Sequence, residues 1–544
     1  MRNFPPSFVP TRQRGAAMMV MLVIMVIGAL AFLVNALGSS ALKTEQINNS
    51  AAALAQAKEA LIGYAVTYGD TNVNQAHGYL PCPDSDATGD EGNEDVGALL
   101  CGATDANTLG RLPWKSLGLP PPHDGSGECL WYAVSGSYKN NPKTSTRMNW
   151  DNAGMLKVFS ADGGEIAANE IVAVVIAPGA VISDNTPAQD RSGDTAPRCG
   201  GNYAPAAYLD NDTAHGINNS DIAAGKFILP HEHRDANGNV ILSVNDQFVF
   251  ITRQDIWTAV EKRIAQQARQ CLDDYAASNG DRYPWAVPMN DTTFYVSTPN
   301  TLFGRLPRHL PITDPDIIAM MDEMTALQVA VNNCKLANNP ANRNALDNAG
   351  NNLENAAKTV RDNQPTTPAI TATVTTPAIA AGDIAQDNAT CLSIFNNPTG
   401  NNVQANLDAT TDAISALPPT LGWTASCTLF NSTPWSHWRN LVFYQVADGF
   451  KPGSAASCGA SCLSVEGSGH TATGSGSYHA TLIAAGKKLT ANRVITNTAD
   501  YLEAVNLLPQ ADSTQPYKTY RATDGNYPTV NDHVLCLDGG VNCK

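Results

Sequence analysis

The stretch CPDSDATGDEGNEDVGALLC (82–101) holds the densest set of side chains able to do chemistry. Asp84, Asp86 and Thr88 fall at positions 1, 3 and 5 of a calcium loop. Gly89 takes the sharp turn at position 6, Asp90 offers its carbonyl at 7, and Asp95 falls at 12. Hard oxygen donors at this spacing wrap one cation, so the expected cofactor is Ca2+ in the 84–95 loop, with Glu91 and Glu94 as substitutes in a shifted register. Threonine at position 5, aspartate at 12 and the lack of flanking helices depart from the motif, and a solvated acidic loop has the same composition. Cys82 and Cys101 bracket the loop and are placed to close it by a disulfide.

Other constellations are weaker. PHEHRDANGN (230–239) puts His231 and His233 on one side of an extended strand, with Asp235 nearby. Two histidines and a carboxylate suffice to hold zinc, but DANGN is a hairpin turn and explains the polarity equally well. GSGECL and GSGSYHA lack the strand–turn–helix context of a serine nucleophile. Neither GxGxxG nor a P-loop is present, so no catalytic residue is assigned and an enzyme is not expected. The paired VND motifs, Asn245–Asp246 and Asn531–Asp532, read as turn caps that start a strand.

These groups need a scaffold, and composition says which kind. Over 544 residues, 43% hydrophobic and 15% charged content describes a folded chain of two to four domains. A net charge of −16 excludes nucleic acid as a partner, since phosphate backbones call for clustered Lys and Arg. Twelve cysteines in Gly-, Asn-, Ser- and Thr-rich loops suit an oxidising compartment and a disulfide framework.

The one basic cluster, Arg2, Arg12 and Arg14, precedes an uncharged run from Ala16 to Leu37. At about 1.5 Å per residue that run reaches roughly 33 Å, enough to span a bilayer and too long for a cleaved signal core. With the basic residues on its N-terminal side, the rest of the chain is expected outside the cytoplasm. No proline follows until Pro81, and Ile47, Ala51, Leu54, Ala57, Leu61 and Ala65 continue a helical stripe. One helix from about Gly15 to Tyr68 is expected, in lipid at one end and on a globular head at the other.

A basic leader ending in glycine, then an apolar helix running into an amphipathic one, resembles the N-terminus of type IV pilins and type II secretion pseudopilins. The resemblance implies cleavage between Gly15 and Ala16 by a prepilin peptidase, N-methylation, and packing against other pilins or pseudopilins through the 16–68 helix. It also implies an inner-membrane location with a periplasmic head before assembly, and the tip of a pilus or pseudopilus afterwards. Val20 stands where major pilins carry a glutamate, a departure shared with the large K-type pseudopilin. Calcium loops recur in pseudopilin heads, which favours Ca2+ at 84–95.

Seven blocks then recur in the same order. ALIGYAVTYGD (60–70) aligns with CLDDYAASNGD (271–281), GYLPCP with RYPWAVP, LGRLP (109–113) with FGRLP (303–307), and CLWYAV (129–134) with LVFYQV (441–446). VVIAPG (174–179) aligns with TLIAAG (481–486), AAYLD (206–210) with ADYLE (499–503), and VNDQFVFI (244–251) with VNDHVLCL (530–537). The expected fold class is therefore α+β: a transmembrane-to-amphipathic helix, then two tandem pilin-like heads with antiparallel sheets. The expected domains are a leader at 1–15, the helix at 16–68, a first head at 69–253, a second at 254–312 and 421–544, and a helical insertion at 313–420. DPDIIAMMDEMTALQVAVNNCKL, capped by Asp314, and NRNALDNAGNNLENAAKTVRDN read as the insertion's helices. QPTTPAITATVTTPAIAAG reads as loop or edge strand, and Cys334 and Cys391 as a staple.

The expected function is that of a minor pilin or pseudopilin, a membrane-anchored structural subunit. The alternative is a displayed adhesin using the second head and its insertion. Trp423, Trp435 and Trp438 serve that alternative as a glycan platform, or else are core of the second head.

Overall fold

The computed structural model describes residues 14–85, 91–95, 101–144, 146–182, 188–193, 195–238, 240–292, 295–308, 315–363, 374–386, 403–415, 423, 426–457, 462–467, 478–489, 493–503, 506–507, 519–522 and 531–538, with the side chains of the first helix described from Leu42 onward. The chain divides into two compact units. Unit 1 comprises 1–64, 80–144 and 153–253, and unit 2 comprises 65–79, 145–152 and 254–544.

In unit 1, α1 (Arg14–Thr71) contributes its residues up to Tyr64. The sheet strands are β1 (Thr108–Arg111), β2 (Trp131–Val134), β3 (Leu156–Phe159), β4 (Glu165–Ala177), β7 (Lys226–Ile228) and β10 (Gln247–Thr252). Between and beside them lie the short pairs β5 (Asn211–Asp212) with β6 (Ile217–Asn218), and β8 (His231–Arg234) with β9 (Val240–Val244). The sheet runs β1-β2-β4-β3-β7, and β10 also pairs with β4. Its centre is the β-branched run IVAVVIA (171–177) of β4, every residue of which is buried, so protein covers both faces.

In unit 2, α2 (Arg253–Ser278) precedes a four-stranded sheet of β11 (Phe303–Arg305), β12 (Val442–Val446), β14 (Ala480–Ala484) and β16 (His533–Leu537), in the order β11-β12-β14-β16. A separate parallel pair joins β13 (Ser464–Gly467) to β15 (Thr519–Ala522). Between β11 and β12 lie α3 (Pro315–Leu336), α4 (Pro340–Asn363), α5 (Thr376–Gln386), α6 (Val403–Ser415) and the short α7 (Thr433–Trp438). The first four share one core that includes Met320, Met324, Leu327, Leu353, Val360, Ala381 and Leu407. Part of the Thr/Pro/Ala stretch expected to be loop is α5. Pro377 sits in its first turn, where no backbone N–H is missed. Gly382 and Gly350 of α4 let the two backbones touch: a Cβ on Gly382 would lie 2.7 Å from the Gly350 carbonyl oxygen.

The aligned blocks occupy matching sheet positions. Arg111 is paired with Trp131 and Gly110 with Tyr132 in one sheet, as Arg305 is with Phe443 and Gly304 with Tyr444 in the other. Each arginine lies over aromatic rings, Arg111 over Trp131, Tyr203 and Tyr208 (5.4, 5.4 and 5.0 Å to centroid) and Arg305 over Phe443 and Tyr501 (4.8 Å each). Tyr132 and Tyr444 donate to the carbonyls of Pro81 and Pro284 at 3.1 and 3.0 Å.

Three expectations are corrected. Two tandem pilin-like heads with antiparallel sheets do not describe this chain: it is a mixed α/β protein with seven α-helices among the described residues. Its units interleave along the sequence, and β3 pairs with β7, and β13 with β15, in parallel. The transmembrane anchor is likewise corrected, since among the described residues no helix is long and apolar enough to cross a membrane. The described side chains of α1 include Lys43, Glu45, Lys58 and Glu59, and its buried positions face protein. With that anchor go the inner-membrane location and the membrane and pilus-tip placement built on it.

Candidate functional site

The helical stripe of α1 meets the sheet later than its spacing suggests. Ile47 is 53% exposed, and every residue from Leu42 to Asn49 is exposed; burial begins at Ser50 and continues through Leu54, Ala57 and Leu61, then Ala65 and Tyr68 in unit 2. The Gly125 loop lies against the Gln46 backbone, and Ser50 Oγ accepts the Gly125 N–H at 2.9 Å. Gly125 is required there, because a Cβ would lie 2.1 Å from the Gln46 carbonyl oxygen. Further along, Lys58 Nζ donates to the Phe250 carbonyl (3.1 Å), while Tyr64 and Asn140 both reach Glu94. Gly15 and Ala16, the expected scissile pair, lie in the first turn of the α1 backbone.

Cys82 and Cys101 are joined by a disulfide, with Asp84 and Asp95 inside the loop they close. Asp86, Thr88 and Asp90 lie outside the described residues. Asp84 and Asp95 aim their carboxylates at the loop itself. Asp84 Oδ2 accepts from Gly92 N–H (2.6 Å) and Tyr203 Oη (3.3 Å), and Asp95 Oδ2 accepts from Ser85 N–H (2.8 Å). Glu91 accepts the N–H groups of Arg198 and Cys199 (2.9 and 2.8 Å), beside the Cys129–Cys199 disulfide. Burial pushes the Asp84 carboxyl up to about 7, with the charges of Asp95 and Glu91 adding to the rise. The calcium expectation gains no support, since nothing shows Ca2+: Asp84, Asp95 and Glu91 accept backbone N–H groups, and Glu94 accepts from the side chains of Tyr64 and Asn140. Cys334 is disulfide-bonded, and Cys391 lies outside the described residues. Cys271–Cys427 is a third bridge that spacing did not suggest.

The VND motifs do more than start strands. Asp210 Oδ2 accepts the N–H groups of Asn245 and Asp246 (2.6 and 3.1 Å), and Asp246 Oδ2 accepts from Asp210 N–H (2.7 Å) and Asn219 Nδ2 (2.9 Å). In unit 2, Asp532 Oδ2 accepts from Glu503 N–H and Asn506 Nδ2 (both 3.1 Å), and Glu503 accepts the Asn531 N–H (3.2 Å). Burial raises all four carboxyls, and in Asp246 and Asp532 the partner acid raises it further. The signal was there to read: YLD with VND, and YLE with VND, recur together.

Two further places have the makings of a site. In unit 1, the ring nitrogens of His231 and His233 converge on Asp212, joined by His215. In unit 2, a cavity of about 900 Å³ is lined by Arg147, Arg308, Arg439, Trp435, His437 and Asp412, among others. The Nε atoms of Arg308 and Arg439 and Nε1 of Trp435 are buried there without a hydrogen-bond partner. His437 Nδ1 accepts the Met148 N–H (2.8 Å), and burial, aided by Arg147, lowers the imidazole to about 4, so it is neutral with its proton on Nε2. Trp435 and Trp438 are buried and belong to the core of unit 2, while Trp423 is half-buried against Phe430.

The resemblance to pilins and pseudopilins gains nothing from comparison: no family model matches the chain, no curated protein matches it, and no solved structure matches it.

Proposed function

We propose that the chain is a structural subunit of a helical filament, of the minor pilin or pseudopilin kind, assembled through α1. The observation that carries this reading is the disparity between α1 and its support. The helical backbone runs from Arg14 to Thr71, and among its described side chains Leu42–Asn49 are all exposed, with the first buried one at Ser50. A bare helix gains little stability from propensity in water and needs a packing partner. Helices of neighbouring subunits are the occupant this reading commits to. The leader ending at Gly15 and the disulfides, which fit an oxidising compartment, support it.

Intact mass and N-terminal sequencing of the chain, produced with and without a prepilin peptidase, test it. A chain starting at Ala16 only when the peptidase is present is expected. A chain still starting at Met1, or cut after Gly38, would sink the reading. It would leave a second one, a binding protein that takes an acidic ligand in the unit 2 cavity, which the three arginines lining it, Arg147, Arg308 and Arg439, favour.

A further inference from the structure

We propose that Asp212, His215, His231 and His233 form a closed Zn2+ site that fastens the β5–β6 hairpin to the β8–β9 hairpin. His231 Nε2 lies 3.0 Å from His233 Nε2 and 3.2 Å from Asp212 Oδ2, and His233 Nε2 lies 3.4 Å from Asp212 Oδ1. His215 Nδ1 is 2.6 Å from Asp212 Oδ2, and one ligand atom from each of the four lies within 4.8 Å of the others. A tetrahedral centre with metal–nitrogen bonds of about 2.0–2.1 Å holds its donors about 3.3 Å apart, so only slight spreading is needed to admit the ion.

The His231 proton is already arranged for it, and the ion would displace those on His215 Nδ1 and His233 Nε2. His231 Nδ1 is 2.7 Å from the Leu229 carbonyl oxygen, which can only accept, so the ring proton sits on Nδ1 and Nε2 presents a lone pair to the cluster. A backbone carbonyl holding the far nitrogen is the usual outer support of a metal-bound imidazole. Asp212 is fixed from behind as well: its Oδ1 accepts the N–H groups of Ala214 (2.9 Å) and His215 (3.3 Å). Side-chain exposure is 0% for Asp212 and 8% for His231, but 26% and 27% for His215 and His233. The site is buried at its base and open at one edge, which gives an ion a way in.

Three imidazoles and one carboxylate select zinc over the oxygen-loving Ca2+ and Mg2+. Four protein donors leave no position for substrate, which makes the ion structural rather than catalytic. The fold has a use for such a staple. β5 and β6 are two residues each, β8 and β9 form another lone pair of strands, and two-stranded sheets are marginal by themselves. Among the described residues, the apolar cluster at this place is Ile217, Ile228 and Val244, with Phe159 against them.

The test uses the full chain without a histidine tag, stripped by a chelator and titrated with Zn2+ against a chromophoric competitor, beside H231A/H233A. One equivalent of zinc held by the wild type and lost in the variant is expected. With it should come a rise in Tm on zinc addition that the variant does not show. Should the variant fail to fold, Co2+ on the wild type decides: intense visible bands of a tetrahedral centre support the site. Equal zinc uptake by wild type and a folded variant, or only the weak bands of octahedral Co2+, would overturn it and leave an ion-pair cluster.

Discussion

Replacing Glu261 with Gln should make the protein less sensitive to alkali, by an amount the structure sets. Glu261 sits on α2, accepts a hydrogen bond from Trp150 Nε1, and has His533 Nδ1 3.6 Å away. Burial raises its carboxyl from 4.5 to about 8, against the pull of the Trp150 hydrogen bond and Arg493. A raised acid binds its proton more tightly folded than unfolded. Its contribution is complete below about pH 4.5 and is lost as pH rises toward about 8. At about 1.4 kcal/mol per pH unit, the loss is at most about 5 kcal/mol. Glutamine keeps the acceptor for Trp150 and has no proton to lose. Urea unfolding followed by tryptophan fluorescence should therefore show the mutant gaining on the wild type progressively across that window. Asp84 and the paired carboxyls tilt both proteins alike, so the difference between the two curves isolates Glu261. Parallel curves would refute the reasoning, because they would mean that Glu261 is ionised, and paired, in the folded state.

Leu353→Ala should cost about 2–5 kcal/mol of unfolding free energy, because Leu353 is fully buried in the core shared by α3, α4, α5 and α6; chemical denaturation followed by helical circular dichroism checks it. An acidic oligosaccharide titrated into the chain by calorimetry should bind at the unit 2 cavity. Arg439→Met should weaken that binding about tenfold or more, since one charged hydrogen-bond partner is worth about 1.5–3 kcal/mol; equal affinity for both proteins would dismiss the cavity as a binding site.

Much of the scaffold could be read in advance because its signals are local. The runs read as helices at 314–336 and 342–363 are α3 (Pro315–Leu336) and α4 (Pro340–Asn363). The paired GRLP and aromatic blocks lie at the same register in two sheets. Readings failed where long-range contact overrides local character. Thr376–Gln386 looks like loop until Gly350 is seen receiving it, and the β3–β7 pairing is parallel because a distant segment, not a hairpin, supplies the neighbour. The metal cluster was half legible. The two-residue strand period puts His231 and His233 on one face, but no spacing rule connects them to Asp212 and His215, which reach them from a separate hairpin. The membrane expectation rested on Ala16–Leu37, whose side chains lie outside the described ones, whereas from Leu42 onward α1 carries Lys43, Glu45, Lys58 and Glu59.

The gap between β1 and β2 is residues 112–130; the gap between β11 and β12, at the same place in its own sheet, spans 306–441 and houses α3 to α7. Because β11 and β12 are adjacent antiparallel strands, the chain leaves the sheet and returns to it at neighbouring points, whatever lies between. The connection is thus a port that tolerates cargo of very different size. For protein engineering, this marks the turn at Gly118, where a Cβ would meet nothing within 4 Å, as the place to graft a reporter or binding domain, and the α3–α6 bundle as a cassette for exchange.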